Sequence, residues 1–281
     1  MNNRLNTENH DRDAAGMLYV YPVISRRAGG VSVGINLNPN NACNWHCAYC
    51  QVPDLQRGVA PDIDLSVLRA ELEQLLTEII SGDFMVRRVP EGCRKLCDVA
   101  ISGNGEPTSC KQFDAVVQTI VDVMNAFQLR VPLRLITNGS YVHKAHVQRG
   151  LALMAQHGGE AWVKVDSVTD AGIQRINGVA LGASRLRQQL EAVVAVCPVW
   201  VQTCMFSWQG DVPSESELVA YIEFLKALMH DGVQIDGVLL YGLARPSLQD
   251  EAVYLATLDS EWMQVLAGRI ERLGLEVKLS L

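Results

Sequence analysis

The 281-residue chain predicts an α/β fold, an open and partial (β/α)6 barrel of parallel strands, and three observations carry that expectation. Short β-type runs alternate six times with stretches of helical apolar spacing. Hydrophobic residues make up 48% of the chain, enough for one sizeable core. The segments richest in cysteine, glycine and charge fall just after strands, where parallel α/β folds place their functional groups.

Residues 1–16 are polar and read as a mobile segment, leaving 17–281 as a single domain. Tyr19 to Ser25 predicts a strand, and Arg26-Arg27-Ala28-Gly29-Gly30 turns the chain into the next one, Val31 to Leu37. Asp64 is placed to cap a helix whose apolar residues, Leu65, Leu68, Leu72, Leu75, Leu76 and Ile79, follow helical spacing up to Ser81-Gly82. Strands then precede helices in turn: 98–102 before 113–127, 133–137 before 144–156, and 161–165 before 183–196. The series continues with 200–204 before 215–230 and 235–240 before 251–273, and a strand at 275–279 closes the chain. Six units are too few to close an eight-fold barrel, so an open one is expected.

The 31 acidic and 24 basic residues leave a net charge of −7. No apolar run is long enough to span a membrane, and the polar start has no signal-peptide core, which together predict a cytoplasmic protein. In a reducing compartment the eight cysteines read as metal-binding, catalytic or buried rather than as disulfides.

Cys43, Cys47 and Cys50, spaced C-x3-C-x2-C, follow the second strand and a short loop. Such a loop can wrap three thiolates around an iron–sulfur cluster, and a [4Fe–4S] cluster held by three cysteines keeps one iron open to another ligand. Two other readings compete: a tetrahedral zinc site completed by His46, strained because His46 adjoins Cys47, and three buried, unligated thiols. After the next strand, Gly103-Asn104-Gly105-Glu106-Pro107 lets backbone approach a ligand closely, with Glu106 offering a carboxylate; alone it is an ordinary strand-to-helix turn.

Taken together, the triad, the aromatic Tyr49 before its last cysteine, and Asn104-Gly105-Glu106-Pro107 resemble the radical S-adenosylmethionine (SAM) superfamily. The resemblance covers about residues 31–245, with Asn104 where the family's Gly-Gly-Glu-Pro has its first glycine. It implies a TIM-like partial barrel with one [4Fe–4S] cluster on Cys43, Cys47 and Cys50, and SAM chelating the open iron. It further implies that Gly105 and Glu106 hold the SAM amino group and that Asn138 faces its ribose or methionine part. Asp166 would bind ribose hydroxyls, with Lys164 standing where the family has Ser, and Gln202 would replace the missing glycine-rich element of the fifth unit. One electron from the cluster would then split SAM into methionine and a 5′-deoxyadenosyl radical that takes hydrogen from a substrate. An electron donor such as flavodoxin or ferredoxin is the implied partner.

Arg245 is placed to fork onto a carboxylate or phosphate, or to form a surface ion pair. Lys164 reads equally as a paired strand lysine or a substrate contact, and Trp45, His46 and Tyr49 as packing around the cysteine loop. Cys93, Cys97, Cys110, Cys197 and Cys204 are scattered, and Cys93-x3-Cys97 lacks a third partner. The Tyr241 to Ser247 segment and Gly105 to Thr108 are loosely similar to wyosine-type tRNA-modifying radical SAM proteins. Activation of a glycyl-radical enzyme and a non-enzymatic cluster sensor or carrier are the other options. Basic residues are dispersed without a run of three, so a small-molecule or peptide substrate is expected rather than nucleic acid.

Overall fold

The computed structural model of the chain describes residues 4–6, 15–25 and 29–281. One eight-stranded sheet follows sequence order: β1 Val20–Ser25, β2 Gly30–Ile35, β3 Leu96–Ile101, β4 Leu133–Thr137, β5 Glu160–Lys164, β6 Val199–Cys204, β7 Gly237–Tyr241 and β8 Glu276–Ser280. β1 is antiparallel to β2, and every later neighbour pairs in parallel. β1 and β8 are the two edges of that order, so the sheet curls without closing. The expected partial (β/α)6 barrel is therefore present, framed by one extra strand on each side.

The helices cover the outer face: α1 Leu65–Ile80, α2 Phe84–Arg88, α3 Phe113–Ala126, α4 Ala145–Gln156, α5 Asp170–Asn177, α6 Ala183–Val194, α7 Glu215–His230 and α8 Ser260–Glu271. Asp64 caps α1, its carboxylate accepting from Ser66 and Val67 N–H, and the buried stripe is the expected Leu68, Leu72, Leu75, Leu76 and Ile79. Each such side chain contributes roughly 1.5–3 kcal/mol by leaving water. Strand residues alternate between two apolar-rich environments. Val99, Ile101, Leu133, Leu135, Val163 and Val201 pack outward into the main core. Asp98, Ala100, Arg134, Ile136, Trp162, Lys164 and Gln202 point into the barrel.

Two local expectations differ. The helix expected over 251–273 is split into a 3-10 turn at Asp250–Tyr254, a two-residue strand Leu255–Ala256, and α8. Leu255 and Ala256 pair instead with Trp208 and Ser207, and the Asp259 carboxylate, accepting from Glu261 N–H, starts a new helix. Conversely α5 was not foreseen, because only Gly172, Ile173 and Asn177 of its eight residues are buried and no long apolar stripe marks it.

Candidate active site

The cysteine loop leaves the carboxyl end of β2 and is folded by asparagines. Asn36 Oδ1 accepts from the N–H groups of Asn38 and Asn104, both at 3.0 Å. Asn38 Nδ2 donates to Ala42 O at 2.9 Å, and Asn104 Nδ2 to Asn41 Oδ1 at 2.6 Å. Asn41 itself is left-handed, φ 53°, a conformation asparagine tolerates. These bonds tie the loop to the Gly103–Pro107 segment. A Cβ on Gly105 would stand 2.0 Å from Ala42 O, and one on Gly103 2.2 Å from Asn36 Oδ1, so both glycines are required by close approach.

Behind the thiols stand α5 and the segment after β7. His46 N–H donates to Asn177 O at 3.0 Å and Ala48 N–H to Ile176 O at 2.8 Å. Ser247 Oγ donates to Ala48 O, and Leu248 N–H to Cys50 O. Arg57 clamps the outer side, its guanidinium reaching Asn44 O at 2.5 Å and Gly178 O at 2.7 Å.

Cys43, Cys47 and Cys50 line one chamber of 330 Å3, within the range of small-ligand sites. Trp45 N–H and Asn177 Nδ2 point at the sulfurs of Cys43 and Cys47, each at 3.4 Å. Burial pushes the Cys43 thiol up to about 11 and the Cys47 thiol up to about 12. Thiolates here therefore need a cationic partner. His46 does not join them; its Nε2 lies 3.5 Å from Glu251 Oε2, outside the chamber lining. Among the described residues no three Cys, His, Asp or Glu side chains stand as ligands of a single metal ion.

The remaining cysteines do not gather into a second site. Cys110 and Cys197 are buried, and Cys97 contacts Lys95 O at the entry to β3. Only Cys204 of these lines the chamber.

The expected SAM contacts divide into two groups. Gly105, Glu106, Asn138 and Gln202 line the chamber with the thiols. Gln202 is 4% exposed, and its Oε1 has no hydrogen-bond partner, an acceptor aimed into the site. Glu106, 2% exposed, accepts from the Thr108 N–H and hydroxyl, the Thr137 hydroxyl, and Asn138 N–H at 2.6 Å. Burial pushes its carboxyl up against those hydrogen bonds. Asn138 Nδ2 in turn donates to Asn44 Oδ1 at 2.9 Å. Asp166 stands apart from the chamber lining, its carboxylate taking Tyr49 OH and Asn177 Nδ2 at 2.7 Å and Cys204 N–H at 2.9 Å.

Several chamber residues were not singled out from the sequence. Arg134 binds Asp98 and Glu160 and lies 4.8 Å from the Trp162 ring centroid, placing a paired charge beside Ile136 and Trp162 in the chamber lining. Strand alternation places them on one face, and the curl of the sheet makes that face the inner one. Arg245 stands at the chamber wall, where its guanidinium donates to Gln51 Oε1 at 2.8 Å.

This fold is the one seen in radical SAM enzymes, and the resemblance read from the motifs is borne out at that level. The chain superimposes on a radical SAM methyltransferase from Sphaerobacter thermophilus with a TM-score of 0.61 and 12% identity, covering 92% of this chain and 68% of that one. It matches Streptococcus suis SuiB bound to S-adenosylmethionine at TM-score 0.59 and 12% identity, over 90% of this chain and 51% of SuiB. TYW1 with a lysine-pyruvate adduct bound matches at TM-score 0.57 and 15% identity, over 95% of this chain and 79% of that one. No family model matches. Among curated proteins, UPF0026 protein slr1464 of Synechocystis sp. is 21% identical over 227 residues, 77% of this chain and 74% of that protein. GTPase Obg of Brachyspira hyodysenteriae is 25% identical over 135 residues, 47% of this chain; the match spans 17% of Obg, and this chain spans about half of SuiB.

Proposed function

We propose that this chain is a radical SAM enzyme acting on a small molecule or peptide. The observation that carries the reading is the fusion of the Cys43–Cys47–Cys50 loop to the Gly103–Pro107 segment, through the bonds of Asn36 and Asn41 to Asn104, at the carboxyl-end mouth of a half-barrel chamber. Cys43, Cys47 and Cys50 would hold a [4Fe–4S] cluster, with SAM on its open iron. The pair supplies one-electron cleavage of SAM to methionine and a 5′-deoxyadenosyl radical, chemistry that belongs to the cofactors.

The protein's own part is placement. Gly105 lets its segment pack directly on Ala42 O of the cysteine loop and would present its backbone to the amino group, Asn138 is fixed by Asn44 and Glu106, and Gln202 Oε1 offers an unfilled acceptor to a hydroxyl or amine. Asp166 would act through Tyr49 and Asn177, which it orients, or turn inward to the ribose on loading. Ile136 and Trp162 in the chamber lining would shield the substrate from water. Flavodoxin or ferredoxin would deliver the electron in a reducing cytoplasm.

Anaerobic reconstitution with iron and sulfide, followed by SAM and dithionite, tests the reading. The expected result is a brown protein with about four irons per chain that forms 5′-deoxyadenosine. Zinc in place of iron would exclude the cluster, and a loaded cluster that leaves SAM intact would favour the sensor or carrier.

A further inference from the structure

Lys164 lies at the carboxyl end of β5 with its side chain turned into the chamber, 16% exposed, on the wall it shares with the three cysteines. Its Nζ donates to the hydroxyl of Tyr49, the residue before Cys50, and sits 4.8 Å from that ring's centroid. The ammonium is thus mounted on the cysteine loop itself. Its counter-charge is Asp166, 3.8 Å from Nζ, which does not line the chamber. Asp166 is held behind Tyr49 by Asn177 Nδ2, and the same Nδ2 reaches Cys47 Sγ at 3.4 Å. The cation faces inward and the anion stands outside it. Where the superfamily pattern offers a neutral serine, this chain places a charge pair whose ammonium lines the chamber together with the thiols and whose carboxylate does not.

We infer that Lys164 is a positioning and tuning residue that raises the reduction potential of a cluster bound by Cys43, Cys47 and Cys50, with Asp166 setting how far. The inference rests on the radical SAM reading. Reduction adds one negative charge to a cluster in a medium of low dielectric, where an inward-facing cation stabilises the reduced form more than the oxidised one. The N–H groups of Trp45 and Asn177 directed at sulfur act in the same sense. Removing the cation leaves the Asp166 carboxylate uncompensated, and removing the anion leaves the cation alone. The two changes must therefore move the potential in opposite directions. A purely packing role for either residue predicts no such sign pair.

The test uses the reconstituted full chain as wild type, Lys164→Met, Lys164→Arg and Asp166→Asn, without SAM. Iron and sulfide contents first establish that each protein carries its cluster; a wild type that takes up neither would overturn the parent reading and this one with it. Potentiometric titration followed by electron paramagnetic resonance of the reduced cluster then gives the midpoint potential. Lys164→Met should move it to more negative values, Asp166→Asn to more positive ones, and Lys164→Arg should stay near wild type. If Lys164→Met does not retain a cluster, the Asp166→Asn shift alone decides. An unchanged potential, or equal-signed shifts in the two variants, would overturn the assignment. So would Lys164→Met that loses SAM affinity in a calorimetric titration at unchanged potential, since Lys164 would then be a SAM contact.

Discussion

Glu106 illustrates what a single residue contributes. Its buried carboxylate gathers Thr108, Thr137 and Asn138 around one point, joining the turn after β3 to the end of β4. A hydrogen bond to a charged group is worth about 1.5–3 kcal/mol, so Glu106→Ala should lower the stability in urea by at least that much. The same loss should weaken SAM binding about ten- to hundred-fold in a calorimetric titration, and unchanged affinity would remove Glu106 from the contact set. Burial raises the folded-state pKa of Glu106 above its unfolded value, so the native chain binds this proton more tightly. Its contribution to stability therefore grows as pH falls through the folded pKa and is lost again as pH rises. The wild type should gain on Glu106→Gln as pH falls from neutral toward the ordinary carboxylate range, measured as the difference of their urea unfolding free energies. The three thiols behave oppositely as structural elements. They lie in the loop and outside the eight-stranded sheet, so changing Cys43, Cys47 and Cys50 together to Ala should abolish the brown chromophore while the circular dichroism spectrum is kept.

At the scale of elements, α5 is the support on which the cysteine loop rests. Its last residues accept from His46 and Ala48, and its C-terminus stops at Gly178 in the left-handed region, φ +64°. A Cβ there would stand 2.7 Å from His46 O. Gly178→Ala should cost about 1–2 kcal/mol for the conformation alone, with the contact against His46 pushing the loop outward. Iron content after reconstitution should fall with the melting temperature, and a variant that loads fully would show that α5 does not hold the loop. The split of the expected 251–273 helix has a related function. Just before the break at Asp250–Tyr254, Gln249 Nε2 donates to Val52 O at 2.9 Å and fastens this segment to the chain after Cys50.

At the scale of the molecule, charge bears on the substrate. The net charge is −7, and many arginines are consumed by neighbouring acids: Arg87 by Asp83, Arg149 by Asp114, Arg187 by Asp231 and Arg269 by Glu215. Arg26 and Arg27 lie outside the described residues. Arg185 is exposed on α6 beside Gln188, and Arg245 turns to Gln51. Filter binding against bulk tRNA should show weak association at physiological salt. Sub-micromolar binding that falls steeply with salt would restore the wyosine-type reading, because counterion release makes phosphate binding salt-dependent. Among the described residues no helix is long and apolar enough to cross a membrane.

The sequence by itself determined the order of the eight strands and of most helices, the open barrel, and the Cys43-Cys47-Cys50 and Gly103–Pro107 motifs, which only the family resemblance joined into one site. Those features are written locally, in alternation, helical spacing and residues two to four apart. Strand bounds agree within a few residues, and Leu133–Thr137 coincides with its expectation. Tertiary structure alone decided which side chains meet. Lys164 and Tyr49 are 115 residues apart, and nothing near either shows that the ammonium rests on the cysteine loop. Parallel strands buried on both faces look alike from either side, so Arg134 and Trp162 could not be read as inward-facing until the sheet curled. For the same reason Asp166 and Glu106 were legible as carboxylates after strands, while the partners that engage them, Asn177 on α5 and Thr137 on β4, appeared only when distant segments packed.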